Sequence, residues 1–213
     1  MRSMGNVGIN KLQYAPMNTP TGKLLYSPHQ IQASVMEVAR QVCAWVQTGS
    51  FKTLGWITVA EGGRPFSSNL SRQVLALHPK LSLVQGEVRV KGTSGTRLLR
   101  DREVSLTGWD PDRFQHFPLL LVDDLVDSGR TLQAVKEALT QLGTGEIKTA
   151  VALNKNAAQQ AMSDFCVLDL GLTPEALNAK GLQDLWVYGY GMDLDGLYRE
   201  DPSIWGLEMK INK

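Results

Sequence analysis

LLLVDDLVDSGRTL, residues 119–132, runs from a purely aliphatic stretch into two adjacent aspartates and then, through Asp127, into a Ser-Gly-Arg-Thr turn. The aliphatic run reads as a buried strand. The apolar pattern after the turn reads as a helix from about Arg130 to Leu142, stopped by Gly143. A turn between a strand and a helix start exposes several backbone N–H donors, and the helix dipole adds positive potential there, so a phosphate fits. Ser128 and Thr131 supply hydroxyl donors, and Gly129 permits close approach of the backbone. Asp123 and Asp124 would repel that phosphate unless they hold something lying between it and the protein. Sugar hydroxyls or a divalent cation meet the requirement, and a phosphorylated ribose satisfies both halves of the stretch.

Working outward, SPHQIQASVMEVARQVCAWVQ (27–47) predicts a helix: Ser27 caps it, Pro28 suits its first position, and Gln30 completes a capping-box spacing. LGWITVA (54–60) reads as a buried strand that ends on the loop EGGRPF, and SSNLSRQVLALH (67–78) returns to a helical pattern. Residues 81–107 read as strands interrupted by KGTSGTR, with further strands expected at 147–154 and 165–171. Strands alternating with helices imply a mainly parallel sheet flanked by helices on both faces, with ligands at the carboxyl ends of the strands. We divide the chain into an N-terminal arm (1–22), a core (23–171) and a less regular, aromatic-rich hood and tail (172–213) over the ligand edge.

Composition excludes several classes. The 213 residues suffice for one large domain, and a net charge of +1 gives no global case for nucleic acid or an anionic membrane. No segment approaches the length of a membrane span. Cys43 and Cys166 lie in apolar stretches and, with no leader visible, read as reduced, buried thiols in a cytoplasmic setting. The three histidines show no ligand spacing.

VDDLVDSGRTL also resembles the phosphoribosyl-pyrophosphate signature of the type I phosphoribosyltransferases: an apolar strand, two acids, two apolar residues, Asp, a hydroxyl, Gly, any residue, Thr. The resemblance implies that fold, a twisted, mainly parallel sheet with a small C-terminal hood. It implies that Asp123 and Asp124 hold the ribose hydroxyls directly or through Mg2+, that Asp127, Ser128, Gly129, Arg130 and Thr131 cradle the 5-phosphate, and that Asp127 accepts the proton of the purine N7. VAEGGRPF (59–66) is placed as the family's pyrophosphate loop, with Gly62, Gly63 and Arg64 facing the leaving group. LWVYGYGMDLDGLYRE (185–200) is similar to the hood of the hypoxanthine-guanine phosphoribosyltransferases. On that likeness Trp186 stacks on the purine, the Val187 backbone reads its edge, Asp193 sits near magnesium and the base, and Arg199 reaches the pyrophosphate. Lys155, in AVALNKN, matches the lysine that donates to the 6-oxo group.

The implied activity is purine salvage: transfer of 5-phosphoribosyl from phosphoribosyl pyrophosphate to N9 of hypoxanthine, guanine or xanthine by a homo-oligomer, a dimer or tetramer, that needs neither nucleic acid nor membrane. A regulator built on the same fold, or an enzyme for a different base, is the alternative. Two departures stand out. Residues 88–104, VRVKGTSGTRLLRDREV, lack the family's Ser-Tyr lid pair, leaving Lys91, Thr93 and Ser94 as donors. Glu61 puts an acid beside the expected pyrophosphate site, where it must point away or pair with a base.

Overall fold

A computed structural model describes residues 22–91, 103–107, 111–114 and 117–210. The expected arm, apart from Gly22, and the lid donors Thr93, Ser94 and the Lys91 side chain lie outside what is described. In chain order the elements are β1 (Lys23–Tyr26), α1 (Pro28–Thr48), β2 (Thr53–Ala60), α2 (Arg64–Leu77), β3 (Ser82–Lys91), β4 (Glu103–Thr107), α3 (Pro111–Phe114), β5 (Leu119–Val126), α4 (Arg130–Gln141), β6 (Ile147–Asn156), a 3-10 turn (Ala157–Met162), β7 (Phe165–Leu172), α5 (Pro174–Ala179), β8 (Leu182–Tyr188) and β9 (Ile204–Lys210).

Six strands form the main sheet in the order β4-β3-β2-β5-β6-β7. All its pairings are parallel except β3 with β4, which is antiparallel. The aliphatic run of β5 explains its central place: a strand covered on both faces needs apolar side chains pointing both ways. Leu119 and Leu121 pack with Leu132, Val135 and Leu139 of α4 on one face. Leu120 and Val122 pack on the other face with Val35, Val38 and Val42 of α1 and Phe66, Leu70 and Val74 of α2. Each fully buried aliphatic side chain of this kind contributes about 1.5–3 kcal/mol.

From β2 the chain builds outward to β3 on one side, while β5 pairs on the other side of β2. This reversal between β2 and β5 opens a crevice at their carboxyl ends, where open α/β sheets bind ligands. The loop after β2 and the aspartates of β5 converge there.

Two element boundaries that matter for the site differ from expectation, and so does the tail. Helix α2 begins at Arg64 rather than Ser67, with Pro65 in its first turn. Strand β6 continues to Asn156, so Lys155 lies within the strand rather than after it. The tail is more regular than its composition suggests: β8 and β9 form an antiparallel pair, and β1 joins β9 to make a three-stranded sheet, β1-β9-β8. No local pattern announces the β1–β9 pairing between opposite ends of the chain.

The expected cap of α1 is present. The Ser27 N–H donates to Gln30 Oε1 at 2.9 Å, and Ser27 Oγ accepts from the Gln30 N–H at 3.4 Å. Both cysteines are free; Cys43 is buried, but Cys166 is only half-buried, and loss of water pushes its thiol up to about 11. Among the described residues no helix is long and apolar enough to cross a membrane. Ser27→Ala should cost about 1 kcal/mol of stability. In a chain of this size that lowers the melting temperature by about 2–4 °C, a shift that differential scanning calorimetry resolves; an unchanged melting temperature would mean the box contributes nothing.

Candidate active site

A cavity of about 400 Å³ occupies the crevice between β2 and β5. One wall is the loop at Glu61 and Gly62, the floor is Asp123 and Asp124, and the far wall is the turn Asp127, Ser128, Gly129 and Thr131 that starts α4. Gly129 takes a left-handed conformation, φ +71°, which an L side chain would strain, so a glycine suits this entry to the helix. Arg199 closes the cavity from the hood.

A second cavity of about 180 Å³ lies alongside, lined by Lys155, Asp184, Trp186, Val187, Met192 and Asp193. Asp124 and Asp127 belong to both cavities. The larger and the smaller cavity therefore meet over the same two carboxylates.

Strand alternation places the side chains of the smaller cavity. Asp184 and Trp186, two apart on β8, share a face. The Trp186 ring is 46 % exposed, and its Nε1–H donates to the Asp193 carbonyl at 3.0 Å, which holds the ring in place while leaving a face open. Lys155 is 6 % exposed. Its ammonium sits between two carboxylates, 2.8 Å from Asp184 Oδ1 and 3.4 Å from Asp127 Oδ2. A buried ammonium needs such partners, because removal from water without them costs several kcal/mol.

Arg199 is an organising group of the hood. Its Nη1 donates to the Gly191 carbonyl and its Nη2 to Asp193 Oδ1, both at 2.6 Å. Asp193 Oδ2 accepts from the Gly196 N–H at 2.9 Å, so both oxygens of this carboxylate are engaged. Gly191 lies so close to the β2 loop, with φ +104°, that an added Cβ would collide with the Gly62 carbonyl.

At the end of β5 two further carboxylates stand side by side. Asp123, 4 % exposed, accepts from the Asp124 N–H at 2.9 Å. The Asp124 carboxylate packs against Gly62, where any added side chain would strike it. Burial pushes the Asp124 carboxyl above the usual carboxylate range, against the opposing pull of hydrogen bonds with Asp123 and nearby backbone amides and of the Arg199 charge.

Most of the residues singled out from the sequence converge here, but three do not. Arg64, expected on the pyrophosphate, is the first residue of α2 and is turned to β3, where Nε and Nη2 clasp Glu87 at 2.8 and 2.7 Å. That clasp raises the arginine further and lowers the glutamate. Gly63 is buried beneath the loop, its N–H bonded to the Val59 carbonyl, and Arg130 is exposed and lines neither cavity. Glu61 pairs with Arg89 at 3.4 Å, the resolution its awkward position required. Asp184 was missed, although its place two residues before Trp186 on an extended run would have put it on the same face.

As a metal site the floor offers hard oxygen donors and one carboxyl short of compensating charge. Among the described residues no cluster of three His, Cys, Asp or Glu forms a protein cage. The carboxylate oxygens of Asp123 and Asp124 suit a Mg2+ held by one or two carboxylates and completed by substrate phosphates.

The comparisons with known proteins agree with the geometry. The phosphoribosyl transferase domain family matches residues 29–176, and the chain belongs to it. Its relatives include the hypoxanthine-guanine phosphoribosyltransferase of Dictyostelium discoideum, 24 % identical over 196 residues, covering 90 % of this chain and 98 % of that one. The enzyme of the same name from Mycobacterium avium is 27 % identical over 195 residues, covering 88 % and 86 %. The fold is that of Trypanosoma cruzi hypoxanthine phosphoribosyl transferase, with a TM-score of 0.74 at 21 % identity over 90 % of this chain and 94 % of that one.

The Asp124 environment gives a signed expectation. A carboxyl raised in the folded chain binds its proton more tightly there than when unfolded. Its cost is therefore absent below the unfolded pKa and appears as pH rises through the folded one. Asp124→Asn should raise the melting temperature at pH 7. The gain should fade toward pH of about 4, near the ordinary aspartate value. A loss of stability at pH 7, or the same gain at both pH values, would contradict the assignment.

Proposed function

We propose that this chain transfers the 5-phosphoribosyl group from phosphoribosyl pyrophosphate to N9 of a 6-oxopurine, hypoxanthine or guanine with xanthine as a third candidate, and releases pyrophosphate. The observation that carries the reading is the meeting of the two cavities over Asp124 and Asp127: a base in one presents its ring nitrogen to a sugar in the other. Family membership and the names of the relatives support the same reaction.

In this reading the amides and hydroxyls of residues 127–131 hold the 5-phosphate, and Asp123 and Asp124 hold the ribose hydroxyls. The Gly62 loop and Arg199 face the pyrophosphate. The bond from C1′ to the pyrophosphate oxygen breaks as the bond from C1′ to N9 forms, and the sugar passes through an oxocarbenium-like state. Negative groups on the cavity floor stabilise that positive charge. Asp127, 3.4 Å from the Lys155 ammonium, takes the proton released at N7.

Lys155 also donates to the 6-oxo oxygen, held in aim by Asp184. Adenine would bring an amino donor to the same place and leave two donors facing each other, which binding sites reject strongly. Trp186 stacks on the purine face, an interaction worth about 1–3 kcal/mol. Asp123 and Asp124 would hold the Mg2+, with Asp193 joining only if it exchanges Arg199 or Gly196 for the ion. When bound, the metal neutralises charge on the leaving pyrophosphate.

The test is nucleotide formation from phosphoribosyl pyrophosphate and magnesium with hypoxanthine, guanine, xanthine, adenine and uracil in turn. Turnover is expected with 6-oxopurines and not with adenine; no turnover with any purine would end the reading. Asp127→Asn should lower kcat by about 10²–10⁴-fold, the range for a general base, with little change in the KM for the donor. An equal loss in both would remove the proton-acceptor role.

A further inference from the structure

The base-binding hood and the β2 loop come from distant parts of the chain, yet they meet at one point. Gly191 rests against the Gly62 carbonyl with no room for a side chain between them. Gly191 also supplies the carbonyl that fixes Arg199. Whatever holds residues 189–192 down on the loop therefore controls the Arg199 end of the larger cavity and the Trp186 end of the smaller one.

The neighbouring residue supplies that hold. Tyr190 is 5 % exposed and sits in a left-handed turn, φ +52°, an unfavourable conformation for a tyrosine that needs compensation from its contacts. Its N–H donates to the Asp201 carbonyl at 2.7 Å. Its ring enters the core on the α2 side, where the hydroxyl accepts from Asn69 Nδ2 at 2.9 Å.

The orientation of the Asn69 amide is set in turn by Arg72, one turn further along α2, whose Nη2 donates to Asn69 Oδ1 at 2.6 Å. A guanidinium can only donate, so Oδ1 faces Arg72 and the amide NH2 must face Tyr190. Arg72 is anchored by a second bond from Nε to the Ser68 carbonyl at 3.2 Å. The relay Arg72–Asn69–Tyr190 thus runs from the exposed side of α2 to the hood. Helix α2 begins directly after the Gly62 loop, so loop and hood are tied to the same rigid element.

We propose that Asn69 is a positioning residue that, through Tyr190, seats the hood turn on the Gly62 loop, so that the base site and the pyrophosphate site form together or not at all. The proposal rests on the phosphoribosyl-transfer reading for its kinetic consequences. Asn69 lines neither cavity. Its loss therefore acts by misplacing Arg199, Trp186 and the loop, and both substrates register it.

Asn69→Ala should raise the KM for the donor and the KM for the purine together, each by about three- to tenfold, the range of one net hydrogen bond. The change in kcat should be smaller. Tyr190→Phe removes the acceptor and should do the same, and the double variant should be no worse than either single one. Asn69→Asp, which can accept from the tyrosine hydroxyl instead of donating to it, should restore most of the loss and guards against a misfolded alanine variant. Effects of the two single variants that multiply, or a lower melting temperature with both KM values unchanged, would overturn the proposal. Amide hydrogen exchange separates it from the reaction itself. Even if the wild-type chain turned over no purine, Asn69→Ala and Tyr190→Phe should each speed exchange at 61–63 and 189–192, and unchanged exchange there would also overturn it.

Discussion

Asp123 and Asp124 are held on the central strand of the sheet. Strand β5 is packed on both faces, paired with β2 as far as Val122 and with β6 as far as Val126, so β6 carries its carboxyl end. The sequence places two acids there, one nearly buried and the other pressed against the opposite loop. Burial of Asp124 is unfavourable in the bare protein, since loss of water holds its carboxyl above the ordinary range against the pull of Arg199. In the proposed reaction a sugar's hydroxyls and a divalent cation would relieve that cost.

The cations of the site are arranged around this excess of acid rather than spread through it. Lys155 is committed to Asp127 and Asp184, and Arg199 to Asp193. Two further arginines near the β2 loop are occupied elsewhere: Arg64 clasps Glu87, and Arg89 meets Glu61. These last pairs are largely exposed and add little stability. One of them gives Glu61, which lines the larger cavity, a partner of opposite charge in Arg89. The departure from the family pattern at Glu61 thus lies in a surface network with Arg89, Glu87 and Arg64.

The acidic turn was legible because its chemistry is local. Strand, acids, glycine and hydroxyls follow one another within fourteen residues, and helix-start geometry does the rest. The parallel sheet was legible from alternation of apolar runs with helical periods, and Ser27 and Gln30 announced their helix through a spacing that only a cap explains. Arg64 was misread because GGRP reads equally as a turn and as a helix start, and the helix won through Gly63 and Pro65. The contacts between Gly191 and Gly62, Asn69 and Tyr190, and Lys155 and Asp184 join residues far apart in sequence. They depend on how the hood docks on the core, which no local pattern encodes. The resemblance to the hypoxanthine-guanine phosphoribosyltransferases put Trp186, Asp193 and Arg199 near the site, while the physical links between them emerged only in three dimensions.

The central claim is that the Asp-rich end of β5 and the turn after it form a ribose-phosphate site opening onto a purine pocket. Calorimetric titration with inosine 5′-monophosphate and with inosine tests it directly, because the two differ only in the phosphate. The account predicts binding of the monophosphate at least about 100-fold tighter than of the nucleoside, or about 2.7 kcal/mol, the scale of one or two charge-assisted hydrogen bonds. Equal affinities for the two would contradict it.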